Sequence, residues 1–418
     1  MVELHIETLG ARGDGIARDG DGTVYVPHTV PGDHVSATLI DKPGNERREA
    51  CHARLDRVLQ PGPERVEPRC PHFGDCGGCA MQHLANGAYR RWKLEMLHQA
   101  LARRGLDENA IGEMISVPPA SRRRARFAGR RLRGGVHLGF NAPGSHNIVD
   151  LSICHILVPS IMATLDDLRL LLAALLPPGG KADVQITETE TGLDIWLVAN
   201  IPHNAKNDMR LAEFAQSADL ARLSTGTRPD IVMAPRAPRI TFNGVAVTPP
   251  PDGFLQASLA GERALAGLVR GGVGDAGRVA DLYAGIGTFG FAMEAGVEVL
   301  AVEGAEAQVQ ALIYARNQAR RSRIEVQMRD LERRPLSGEE LWSFDAVIFD
   351  PPRSGARGQT AHLATSPVPV LLAVSCNPST FARDARTLVD GGYHLASVTP
   401  VDQFPWSRHL ELVAKFQR

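Results

Sequence analysis

The chain has 418 residues, 44% of them hydrophobic, and a formal net charge of −1. That length allows two or three domains with substantial cores, and the near-neutral balance excludes a uniformly basic coat while leaving room for a local basic patch. No stretch approaches about 18 uninterrupted apolar residues, and MVELHIETLG lacks a basic-then-apolar leader, so the expectation is a cytoplasmic chain with no membrane partner.

Residues 1–58 predict short strands in VELHIETLG, TVYVP and HVSATLI, separated by the glycine-rich ARGDGIARDGDG and the turn HTVPGD. This is the pattern of a small β-barrel without a catalytic constellation. LQPGPERVEPRC follows as a proline-rich connector.

The connector leads into RCPHFGDCGGCAMQH, which sets Cys70, Cys76 and Cys79 at C-x5-C-x2-C. An intracellular chain keeps its thiols reduced, so a disulfide framework is not expected. Glycines between the cysteines let the backbone wrap a compact group, which is a metal or cluster signature. Two ligand sets compete. Zinc would take the three thiolates plus Cys154 or one of His72, His83 and His155, whereas an iron–sulfur cluster would take four thiolates. Cys51 has no partner and reads as structural.

YRRWKLEMLHQALARR, residues 89–104, has helical periodicity and a basic start. SRRRARFAGRRLRGG, residues 121–135, packs seven arginines among small and aromatic residues. A planar guanidinium can both grip phosphate and stack on a base, so this segment is expected to meet nucleic acid. A mixed region runs to about residue 250, where TPPPDGFLQAS marks a second boundary.

Beyond it, strands and helices alternate as in parallel α/β domains. RVADLYAGIGTFG, VEVLAVEG, FDAVIFDPPRSGA and VLLAVSCNPST each pair an apolar strand with a turn. Ligands of open α/β sheets sit beyond the carboxyl ends of the strands, where Asp281, Glu303, Asp350 and Cys376 fall. A lone G-x-G fits several nucleotides. The acid before the glycines, the missing phosphate-cradle G-x-G-x-x-G, and Glu303 poised to accept both ribose hydroxyls tilt the reading toward S-adenosylmethionine over a dinucleotide.

FLQAS, DLYAGIGTFG, FDPPRSGA, VSCNPSTFARD and HLELV occur together in the order of the RNA 5-methyluridine methyltransferases, which the whole chain resembles. The C-x5-C-x2-C motif with Cys154 is similar to that of the iron–sulfur members, the 23S ribosomal RNA uridine methyltransferases. The N-terminal stretch resembles the TRAM domain, an OB-like RNA-binding module. The resemblance implies an α/β fold: a Rossmann-like class I S-adenosylmethionine-dependent methyltransferase domain over 251–418, an N-terminal OB-like β-barrel over 1–58, and a central mixed α+β domain over 59–250 with the cluster and the basic segment. By the same resemblance Cys376 is the nucleophile and Glu411 the general base. Gln256, Tyr283, Gly285, Thr288, Glu303, Asp330 and Asp350 contact S-adenosylmethionine or shape its site, and Cys70, Cys76, Cys79 and Cys154 ligate a [4Fe-4S] cluster. The family usually shows Asn where Ser258 and Thr288 stand. The expected partner is RNA, 23S rRNA ahead of tRNA, and the chain is expected to act as a monomer.

The chemistry asks for these residue types. Carbon 5 of uridine is a weak nucleophile until a thiolate adds at carbon 6, after which a base must remove the carbon 5 proton. The target uridine must also leave its stack to be reached. Two other readings compete. Asp-Pro-Pro can serve methylation of an exocyclic amine, but Arg353 follows it here in place of an aromatic. A non-catalytic, metal-stapled RNA-binding protein would have no need of Cys376 and Glu411 in their motifs.

Overall fold

In the computed structural model, residues 1–20, 22–40, 50–202 and 204–418 are described. Strand Gly22–Val26 alternates, burying Val24 and Val26, and with Leu4, Ile6, Ala17, Val35, Ala37 and Ala53 these residues form one small core. Around it lies a six-stranded sheet in the order Val2–His5, His34–Ile40, Ala50–Gln60, Gly22–Val26, Gly15–Asp19, Thr8–Leu9. Two local expectations are corrected. VELHIETLG forms two short strands rather than one, because Ile6 turns away to exchange backbone hydrogen bonds with Gly32 and Asp33. The glycine-rich ARGDGIARDGDG, read as a connection, contributes the strand Gly15–Asp19.

The connector is pinned to this sheet by Asp33, whose buried carboxylate accepts from the backbone of Val30 and Gly62 and from Arg65 at 2.6 Å. A helix follows at Asn86–Ala102, displaced from the predicted 89–104. Its start is set by Ala85, whose amide donates to Glu64, and its end by the turn through Gly105 at φ 61°. Trp92 on this helix donates from Nε1 to the Gly10 carbonyl and so ties it back to the N-terminal sheet.

The central part is a seven-stranded sheet in the order Ile148–Asp150, Gly135–Asn141, Arg124–Leu132, Lys181–Thr189, Gly192–Ala199, Arg222–Thr225, Asp230–Met233. Its apolar face, with Phe127, Leu138, Val184 and Ile186, packs on Leu165, Leu168 and Leu172 of the helix Pro159–Leu175.

The C-terminal part holds an eight-stranded sheet. Four parallel neighbours, Ile324–Met328, Glu298–Glu303, Arg278–Leu282 and Ala346–Phe349, continue into Val370–Ser375. Glu411–Gln417 then lies antiparallel between Val370–Ser375 and His394–Asp402. This doubly wound order with one reversed strand is the class I methyltransferase architecture. A two-residue strand from far upstream, Ile115–Ser116, completes the edge. Among the described residues no helix is long and apolar enough to cross a membrane.

The central and C-terminal sheets are joined through a buried ion pair. Arg123 meets the Glu262 carboxylate, and its backbone N–H donates to Ala257 and its Nε to the Gln256 carbonyl. This contact brings the arginine-rich strand beside the FLQAS segment.

Candidate active site

The turn after strand Arg278–Leu282 is built from backbone geometry that few side chains accept. Tyr283 has φ 62°, Gly285 φ 58° and Gly287 φ 96°. A Cβ at Gly287 would stand 2.5 Å from Phe291, and a left-handed tyrosine is the kind of local strain that gathers at functional sites. Glu303, ending the adjacent strand, accepts from Gly285 N–H at 2.9 Å on Oε2, and from Gly304 and Ala305 N–H at 2.8 and 2.7 Å on Oε1. A carboxylate offers about four lone pairs, so this structure leaves Glu303 one on Oε2. The carboxylate fastens two loops together and also lines the cavity they border.

These loops form one end of a cavity of about 710 Å³. Tyr283, Gly285, Glu303 and Asp330 line that end, and Gln256, Asp350, Cys376 and Glu411 line the rest. Thr288, after the glycine turn, is half-buried and is not among the residues that line the cavity. Ser258 acts elsewhere. As N-cap of the helix Leu259–Val273 it accepts from Gly261 N–H at 3.0 Å, which Asn would also do well.

Cys376 follows the buried strand Val370–Ser375 because Asn377 and Pro378 start a helix there. Asn377 caps it by accepting from Ser379 N–H, and Pro378 occupies its first turn. The Asn377 amide and the Thr380 hydroxyl both donate to the Arg353 carbonyl at 3.2 Å, locking the SCNP and DPPR loops together. The thiol therefore emerges on the cavity beside Arg353.

The charges at this end work against each other. Burial pushes the Asp350 carboxyl up to about 7. Burial, with the Asp350 charge, pushes Glu411 up to about 8, while Gln403 and Arg353 oppose. Burial raises the Cys376 thiol to about 11, the Glu411 and Asp350 charges add to this, and Arg353 pulls the other way. Asp350 and Glu411, both raised toward neutrality beside one guanidinium, suit stepwise proton transfer, whereas the thiol depends on that guanidinium to offset its burial.

Two glutamines at the site carry no motif signal. Gln403 Nε2 donates to Gln256 Oε1 at 2.7 Å, and Gln256 Nε2 reaches Asp350 at 3.5 Å, so an amide chain orients the acid. Gln308 Oε1, buried on the wall near Gly285, has no hydrogen-bond partner. An orphaned acceptor beside a glycine turn and a carboxylate fits a ligand that brings polar donors, as the amino and hydroxyl groups of S-adenosylmethionine do.

The arginine segment divides by role. Arg122 and Arg124 line the cavity with exposed Arg126, and Arg130 and Arg133 are also exposed. Arg123 is the buried ion-pair partner, and Arg131 donates to the Ala173 and Leu176 carbonyls that end a helix. Two of the seven arginines are therefore structural.

Cys70, Cys76, Cys79 and Cys154 line a second cavity of about 380 Å³, which shares Arg122, Arg126, Arg353 and Phe404 with the first. Burial, with the other three cysteines adding, pushes Cys79 up to about 12 against the Gln82 amide. Among the described residues no three His, Cys, Asp or Glu side chains converge tightly enough to grip one metal ion.

The sequence profile of the family described as tRNA (Uracil-5-)-methyltransferase matches residues 271–416. An uncharacterized RNA methyltransferase of Brucella suis is 42% identical, spanning 99% of this chain and 97% of that one. The 23S rRNA (uracil(1939)-C(5))-methyltransferase RlmD of Halomonas elongata is 32% identical, spanning 98% of this chain and 88% of its own. In fold, the chain is similar to the Pyrococcus abyssi tRNA (uracil-54, C5)-methyltransferase solved with S-adenosyl-L-homocysteine. That match has a TM-score of 0.74 and 21% identity, and covers 99% of this chain and 100% of that one.

Proposed function

This chain belongs to the S-adenosylmethionine-dependent RNA uracil-C5 methyltransferase family, and we propose that it methylates carbon 5 of a uridine in 23S rRNA through a covalent bond from Cys376 to carbon 6. The observation that carries this reading is the meeting of Cys376, Glu411, Asp350 and Arg353 on one cavity that extends to the Glu303–Gly285 turn.

When bound along Tyr283, Gly285, Glu303, Gln308 and Asp330, S-adenosylmethionine supplies an electrophilic methyl group. Cys376, as thiolate, forms the sulfur–carbon 6 bond, and the electron pair of the carbon 5–carbon 6 double bond moves into an enolate. Arg353, the cation beside the thiol, favours the thiolate. Carbon 5 would use that electron pair to form the carbon–methyl bond while the methyl–sulfonium bond breaks, its pair staying on the sulfur of the departing S-adenosylhomocysteine. Glu411 then accepts the carbon 5 proton, the double bond re-forms, and the pair of the sulfur–carbon bond returns to Cys376.

Cys70, Cys76, Cys79 and Cys154 are assigned as ligands of a [4Fe-4S] cluster. Four thiols around a roomy cavity suit a cubane, whose corners hold its ligands apart, better than one zinc ion at a point. The cluster would join the connector to the central sheet. The N-terminal sheet is assigned as the TRAM-like RNA-binding module, and 23S rRNA is preferred because of the four-cysteine set and the Halomonas relative.

Mass-spectrometric mapping of modified uridines, in rRNA and tRNA from cells with and without the gene, tests the substrate. A 5-methyluridine of 23S rRNA should vanish with the gene. Loss confined to tRNA would overturn the rRNA assignment.

A further inference from the structure

Lys93 is fully buried, and none of the chemical steps uses it. It lies on the helix Asn86–Ala102, remote in sequence from the loop it touches. Its Nζ donates to Asp402 Oδ1 at 2.5 Å, to the His409 carbonyl at 2.5 Å and to the Phe404 carbonyl at 3.2 Å. One ammonium thereby uses all three donors on a single segment. One turn earlier, the Tyr89 hydroxyl donates to Asp402 Oδ2 at 2.8 Å.

That segment is the end of strand His394–Asp402 and the loop 403–410, which runs on to strand Glu411–Gln417 and so to the proposed base. Its inner side carries Gln403, bonded to Gln256, and Phe404, which lines both cavities. Its other flank is held by Ala80 and Met81, whose N–H groups donate to the Trp406 carbonyl at 2.8 and 3.0 Å. Trp406 itself has φ 56°, a conformation that persists in a non-glycine residue only where the surroundings impose it.

We propose that Lys93 is a positioning residue for proton removal: by holding the Phe404 and His409 carbonyls and Asp402, it fixes the loop that aims Glu411 at carbon 5. The inference rests on reading Glu411 as the base. An apolar side chain here would leave the His409 carbonyl without its donor and the Asp402 carboxylate, still bonded to the Tyr89 hydroxyl and the Phe404 N–H, without its cation, so a buried cation is retained for geometry at a cost in desolvation. The step most exposed to a shift of the loop is the one Glu411 performs, and a misplacement of about 1 Å can slow a step by on the order of 100-fold. Thiol addition depends instead on Cys376, whose SCNP loop is tied to the Arg353 carbonyl by Asn377 and Thr380, and the held loop touches this pair through His409, 3.3 Å from the Arg353 guanidinium.

The test is single-turnover methylation of an unmodified 23S rRNA transcript with methyl-labelled S-adenosylmethionine, followed by denaturing electrophoresis. Lys93→Met should accumulate a protein–RNA band containing the label, with release slowed about tenfold or more and methyl transfer changed by less than about twofold. Tyr89→Phe removes one supporting hydroxyl and keeps the packing, so it decides the matter if Lys93→Met does not fold. It should trap the same band to a smaller extent, with unchanged affinity for S-adenosylmethionine. If Glu411→Gln traps labelled adduct and neither Lys93→Met nor Tyr89→Phe does, or if these variants slow transfer and release alike, the positioning role is wrong. If Glu411→Gln itself traps nothing, the assignment of the base fails and takes this inference with it.

Discussion

At the scale of single residues, the proposed mechanism gives the bond-making half of the reaction to Cys376 and the bond-releasing half to Glu411. Changing Cys376→Ala removes the only nucleophile in the motif, so adduct and methylation should both disappear while S-adenosylmethionine still binds at the Glu303 end. Substantial turnover by that variant would revive direct attack by carbon 5 or methylation of an exocyclic amine. Glu411 also sets a pH dependence. Its folded value of about 8 lies above the ordinary 4.5, so at neutral pH only about a tenth of it is in the base form, and product release should rise with pH to about 9. Stability should run the opposite way. A carboxyl whose folded value is raised binds more protons in the folded than in the unfolded state, so its contribution is complete below about 4.5 and is lost as pH rises through about 8. Thermal melts of Glu411→Gln against the parent, over that window, should show a flatter slope for the variant. Equal slopes would mean that Glu411 is solvated after all.

At the scale of elements, the arginine-rich strand Arg124–Leu132 and its approach combine two functions that sequence could not separate. Local pattern reveals seven guanidinium groups, but the partner of Arg123 is 139 positions away. Removing one member of such a buried pair costs about 3–5 kcal/mol, whereas an exposed pair such as Arg126–Asp183, at 3.2 Å, is worth at most about 1 kcal/mol. Arg123→Ala should therefore lower the melting temperature and loosen the junction between the sheets. Neutralising Arg124 and Arg126 together should leave the melt nearly unchanged and reduce the salt dependence of RNA binding by roughly one unit of slope for each phosphate these side chains no longer neutralise. An unaltered slope would make these two arginines a solvated face.

The same distinction between local and distant information explains which strands could be read. LAVE, AVIF and LLAVS are apolar runs that stop at an acid, an acid and a thiol, so both their existence and their cavity-facing ends are written locally. The insertion of Glu411–Gln417 between two other strands, and the addition of Ile115–Ser116 to the sheet edge, depend on pairings across the chain. Gln403 and Gln308 carry no sequence signal for a similar reason: nothing beside them marks a glutamine that props another amide or one that faces a cavity.

At the scale of the whole molecule, the cysteine cavity lies between parts that must act together. Cys70, Cys76 and Cys79 come from the connector and Cys154 from the central part, while Ala80 and Met81, directly after Cys79, hold the loop that leads to Glu411. A group bound by all four thiolates would stabilise the folded arrangement of these segments, because an unfolded chain offers no preformed site. Anaerobically purified protein should therefore contain iron and acid-labile sulfide, and Cys154→Ser should lose both and melt earlier. Its affinity for S-adenosylmethionine should stay close to that of the parent, since Tyr283, Gly285, Glu303, Gln308 and Asp330 all belong to the C-terminal sheet and its loops. Binding of RNA should weaken, because Arg122 and Phe404 are shared between the two cavities and Arg122 lies 5.8 Å from the Phe404 ring. Stoichiometric zinc without iron in the parent protein would replace the cluster by a single ion. Parent-like RNA affinity in a folded Cys154→Ser protein would confine the cysteines to a purely local staple.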